Sequence, residues 1–63
     1  MGNEFYVTIQ NGGRAIGQYY YADAPYDICD GLDDLNIYPV NTYIQVCDPK
    51  DHNTILASIY THG

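Results

Sequence analysis

Residues 23–36 read DAPYDICDGLDDLN, and whether they form a helix or a loop decides the architecture of the whole chain. At about 100° per residue, Ile28, Leu32 and Leu35 fall within about 60° of one another with Cys29 beside them, an amphipathic face wide enough to sit on a sheet. Pro25 suits a first helical turn, Asp23 or Ala24 stands in the capping position, and Asn36 supplies a stop. Against the helix stands Gly31, which costs about 1 kcal/mol relative to alanine in a helix interior. Packing from outside must therefore hold the segment together. The spacing predicts a helix over about 24–35; a loop with one short turn is the competing assignment.

On either side the period changes from helical to alternating. EFYVTIQN (4–11) sets Phe5, Val7 and Ile9 on one face and Tyr6, Thr8 and Gln10 on the other, the pattern of a half-buried strand. NGGR follows, where positive φ is cheap, and AIGQYYYA returns as the second strand of a hairpin. TYIQVCD alternates again, with Ile44 and Val46 opposed to Tyr43, Gln45 and Cys47. DPKDHN is a turn by every local signal, and TILASIY closes a second hairpin with Ile55, Ala57 and Ile59 sharing a face. The order is thus ββαββ: an α+β, two-layer fold in which one helix packs on one face of a four-stranded, mainly antiparallel sheet. One domain, 1–63, is expected, with hairpins over about 4–22 and 41–61. Its core should comprise Phe5, Val7, Ile9, Ile28, Leu32, Leu35, Ile44, Val46, Ile55 and Ile59, a small core for a chain this short.

The formal net charge is -6, with Arg14 and Lys50 the only lysine or arginine side chains. That balance argues against charge-driven binding to nucleic acid or anionic lipid, because phosphate affinity rests on lysine and arginine. A basic protein surface is the natural complement. On the expected helix Asp27, Asp30 and Asp34 fall within about 60° of one another, opposite Leu32, and Asp23 extends the line. Helix-dipole attraction accounts for Asp23 and Asp27. Asp33 and Asp34 oppose the dipole in the last turn, and like charges three or four residues apart cost about 0.2–0.5 kcal/mol per pair. The alternatives are a merely solvated face and a functional stripe. From Asp27 to Asp34 the stripe runs about 10.5 Å, over which one DNA strand presents about four phosphates.

No enzymatic signature accompanies these carboxylates. Acid–base work needs two of them converging in an enclosed pocket, for which a small helix-on-sheet domain has little room. A calcium loop counted from Asp23 would need glycine sixth and glutamate twelfth; Ile28 and Asp34 stand there. No phosphate loop, nucleophile triad or nucleotide fingerprint is present, so no cofactor is expected. Cys29 and Cys47 lack zinc or redox spacing and read as packed free thiols, a disulfide being the alternative. His52 and His62 read as exposed residues without an evident partner. Neither a signal peptide nor a membrane span is legible, so a cytosolic protein is the simplest expectation.

Tyrosine is the second unusual feature. Tyr6, Tyr43 and Tyr60 fall opposite the apolar set, on a sheet side that a single helix would leave open to water or to a partner. Tyrosine is also simply a good strand former, and stacking of single-stranded bases lacks the basic groove it normally needs.

With DAPYDICDGLDDLN set in a small acidic chain that has no enzymatic motif, the sequence resembles the anti-CRISPR proteins and DNA mimics that phages and mobile elements encode against host defence. Those proteins share no common signature, so no residue is carried over as a known contact. The resemblance implies a stoichiometric, non-enzymatic inhibitor in the host cytoplasm. Its partner would be a protein with a basic nucleic-acid-binding surface, such as a CRISPR effector subunit, with neither nucleic acid nor membrane contacted directly. The expected contacts are Asp23, Asp27, Asp30, Asp33 and Asp34, with Tyr6, Tyr43 and Tyr60 as a second surface. The alternatives are a homodimeric interaction module using the tyrosine face and an acidic antitoxin or immunity protein.

Overall fold

Gly12 and Gly13, with φ of 60° and 84°, form the two-residue turn that the right-handed twist of a hairpin favours. They join β1 (Asn3–Asn11) to β2 (Arg14–Ala22) in the computed structural model, which describes residues 2–62. Then come α1 (Pro25–Asp34), β3 (Tyr43–Cys47) and β4 (Ile55–Tyr60). The strands form one sheet in the order β2-β1-β3-β4, and every pairing is antiparallel. The ββαββ order and the two-layer α+β architecture expected from the sequence are therefore present.

α1 begins at Ala24 as an N-cap without a side-chain bond, has Pro25 in its first turn and ends before Asn36, whose φ is 55°. It buries Ile28, Cys29 and Leu32 against the sheet. Phe5, Val7 and Ile9 from β1, Ile44 and Val46 from β3 and Ala57 from β4 complete the core, with Tyr20, Ala22, Tyr38 and Ile59 packed at its margin.

Two expected core residues lie outside it. Leu35 is 59% exposed, because the helix stops at Asp34 and the chain turns away before the apolar face can continue. Ile55 is 53% exposed because of a β-bulge: Val46 pairs with Ala57 but Cys47 pairs with Ile55, which leaves Leu56 as an extra residue. One inserted residue carries Ile55 to the opposite side of the sheet. Ile59 is half-buried rather than fully enclosed.

The connection from α1 to β3 is tied down by two buried threonines. The Thr42 and Thr61 hydroxyls both donate to the Pro39 carbonyl, at 2.7 and 2.8 Å, the Asn11 amide donates to Thr42 Oγ1 at 2.8 Å, and the Thr42 N–H donates to Thr61 Oγ1 at 3.1 Å. These bonds satisfy polar groups that would otherwise be costly to bury.

Candidate functional site

The eight carboxylates divide into two groups by what donates to them. Asp48 Oδ1 accepts the N–H groups of Lys50 and Asp51, and Asp51 accepts from the Asn53 N–H and the Thr54 hydroxyl, so both build the β3–β4 turn. Glu4 accepts from the Tyr21 hydroxyl at 3.3 Å. Asp33 is half-buried and accepts both the His62 N–H at 3.0 Å and a bond to His62 Nδ1 at 2.7 Å. The bond from the His62 backbone, then that from its ring, then the ring's charge hold the Asp33 carboxyl below the usual aspartate range. Asp33 thus anchors the segment after β4, and His62, expected to lack a partner, has one.

Asp23, Asp27, Asp30 and Asp34 form the second group. All four are exposed, and among the described residues none has a side-chain hydrogen bond or ion pair. Asp27, Asp30 and Asp34 lie along the side of α1 opposite Leu32, and Asp23 sits in the bend that leads into it. Neither basic side chain is near in sequence: Arg14 opens β2 and Lys50 belongs to the β3–β4 turn. Among the described residues, no group of three or more His, Cys, Asp or Glu side chains is arranged to hold a metal ion.

The other face of the sheet carries the tyrosines. Tyr6 and Tyr19 are cross-strand partners with ring centroids 5.2 Å apart in an edge-on arrangement. The β3–β4 turn brings His52 over them, stacked on Tyr6 at 3.8 Å and 3° between planes, with Nε2 3.4 Å from the Tyr19 hydroxyl. Tyr43 and Tyr60 form a second pair, 4.9 Å apart, four residues along β3 from the Tyr6 partner Cys47. Tyr6 and Tyr43 are half-buried and Tyr60 is exposed. The stack under His52 was not legible locally, since it joins residues on three different elements.

Both cysteines are free and buried. Cys29 faces the core from α1, whereas Cys47 shares the open side of the sheet with Tyr6, so the sheet separates the two thiols. Burial, reinforced by the Asp30 charge, pushes the Cys29 thiol up to about 11, which keeps it protonated and unreactive at neutral pH.

The chain matches no protein-family model, and no curated protein or solved structure matches it significantly. Among the described residues, no helix is long and apolar enough to cross a membrane.

Proposed function

We propose that this protein is a non-enzymatic inhibitor that docks the exposed acidic side of α1 onto the nucleic-acid-binding surface of another protein, in the manner of an anti-CRISPR protein acting by DNA mimicry. The division of the carboxylates supports this reading. Among the described residues, four of the eight have internal donors, and the four without one are gathered at a single helix and its entry. Asp27, Asp30 and Asp34 repel one another with no lysine or arginine interleaved, an arrangement that costs the free protein stability. A lysine- and arginine-lined channel would turn that repulsion into attraction. Inhibition then follows from occupancy alone: while the carboxylates hold the basic channel, a phosphate backbone cannot. Host-cell cytoplasm is the compartment in which such a partner would be met.

The test is capture of a nucleic-acid-handling protein on the immobilised chain, followed by competition. Duplex DNA should displace the captured protein, and the complex should weaken steeply with salt. Capture that survives both, or that is unchanged by Asp30→Lys with Asp34→Lys, overturns the reading. The second reading is an interaction module that uses the tyrosine face, favoured by the paired rings of Tyr43 and Tyr60; its complex should be nearly insensitive to salt.

A further inference from the structure

β2 ends the sheet, and α1 packs more on β3 and β4 than on β2, so the outer edge of β2 is left open. Every residue from Arg14 to Tyr19 is exposed, Ile16 and Tyr19 at 51% and 52%. An edge of nine residues is normally blunted by proline, lysine, inward charge or a bulge. RAIGQYYYA has no proline, lysine or bulge, and its one charge, Arg14, stands at its first position; the opposite edge, β4, is shorter and bulged.

The backbone groups along that edge are set by the turn. Asn11 and Arg14 close a two-residue hairpin and form a hydrogen-bonded pair, and pairs alternate from there. Arg14, Ile16, Gln18, Tyr20 and Ala22 therefore bond to β1. The N–H and C=O groups of Ala15, Gly17, Tyr19 and Tyr21 point away from the sheet, along its free edge.

These four positions are complementary to themselves. An antiparallel copy of β2, related by a two-fold axis at Gln18, sets Ala15 opposite Tyr21 and Gly17 opposite Tyr19. All four outward residues of each copy are then used, for about eight hydrogen bonds at two per closely bonded pair. On one face Tyr21 meets Ala15, and Tyr19 meets Gly17, over which the Tyr6 ring of the same copy lies; exposed Ile16 meets Tyr20 on the other. The charges agree as well. Arg14, the one charged residue of the strand, comes beside Ala22 and Asp23 of the second copy, twice by symmetry, so two molecules of net charge -6 meet where neither carries a carboxylate on the strand. Moving the axis to Tyr20 instead sets Tyr19 against Tyr21 and leaves Ala15 and Gly17 unpaired.

We infer that β2 is a self-pairing edge: two copies join through β2, antiparallel about Gln18, into one continuous sheet. The contact lies in the plane of the sheet, so it is neither the acidic side of α1 nor the tyrosine face, and it stands whether or not the proposed inhibition does.

Gln18→Cys tests the register, because residues facing each other across a two-fold axis in a non-hydrogen-bonded pair are close enough for a disulfide. The variant should form a covalent dimer on mild oxidation, whereas Ile16→Cys, also exposed on the same strand, should not. Gln18→Asp places like charges across the axis and should raise the dimer dissociation constant by at least about tenfold, with an unchanged melting temperature for the monomer, measured below the dimer dissociation constant. Wild-type protein that sediments as a monomer at about 1 mM, or equal crosslinking of Ile16→Cys and Gln18→Cys, overturns the inference. Neither result bears on partner capture through Asp30 and Asp34.

Discussion

The phenol oxygen of Tyr6 occupies the space that a methyl group on Gly17 would fill, and the stacked His52 ring holds Tyr6 in that position. Glycine at residue 17 is thus the seat for an aromatic ring from the neighbouring strand. Alanine is ordinarily better than glycine in a strand by about 0.5–1 kcal/mol. Here it would displace Tyr6 from Tyr19 and His52, contacts worth about 0.5–1.5 kcal/mol each.

The two effects oppose, and the aromatic contacts are the larger. Gly17→Ala should therefore destabilise the wild-type protein yet stabilise a Tyr6→Ala background, a reversal of sign that a double-mutant cycle by urea unfolding measures. Stabilisation in both backgrounds would show that Tyr6 does not rest on Gly17.

Leu32 and Leu35 look equivalent on a helical wheel, but the structure separates them, at 7% and 59% exposure. Leu32→Ala should cost about 2–5 kcal/mol, much of the stability of a domain this small, while Leu35→Ala should stay within about 0.5 kcal/mol. Equal losses in urea unfolding would place the end of α1 beyond Asp34. The contrast marks where the sequence was legible. Alternation located all four strands and helical periodicity located α1, because each is a repeating local signal. A helix end and the Leu56 bulge are single events without a period, and each moved one apolar residue out of the expected core.

The bond between Asp33 and His62 joins residues 29 apart, beyond the reach of any local pattern. It also relieves the charge at the C-terminal end of α1 that looked uncompensated in the sequence. Because the folded state lowers the Asp33 carboxyl below its ordinary value of 3.8, its contribution to stability is fully present above that value. The contribution is lost as pH falls through the lowered one. Asp33→Ala should remove this part of the acid transition and destabilise the protein at neutral pH. His62→Ala, which keeps the backbone N–H, should do less of both. A carboxyl titration by NMR checks the direction: Asp33 should protonate below its ordinary value of 3.8 in the wild type and shift upward in His62→Ala. An Asp33 titration unmoved by His62→Ala would mean that the ring contributes nothing.

Charge reversal on α1 separates a solvated acidic face from a binding one. Asp30→Lys with Asp34→Lys turns the repulsion between Asp27 and residue 30 into attraction, exchanges one like-charge pair for another between residues 30 and 34, and puts a lysine at residue 34, which suits the negative end of the helix dipole. Both sites are exposed and, among the described residues, without internal donors, so no hydrogen bond described in the fold is lost with their carboxylates. The double variant should be more stable than wild type by about 0.5–1 kcal/mol, read as a higher urea midpoint. A solvated face predicts only that gain. A phosphate-mimicking face predicts the same gain together with loss of binding to the captured partner, mainly through a slower association rate at low salt. Binding kinetics measured beside the unfolding curve distinguish the two: a stabilised variant that associates at the wild-type rate leaves Asp30 and Asp34 with no part in recognition, and the tyrosine face becomes the surface to pursue.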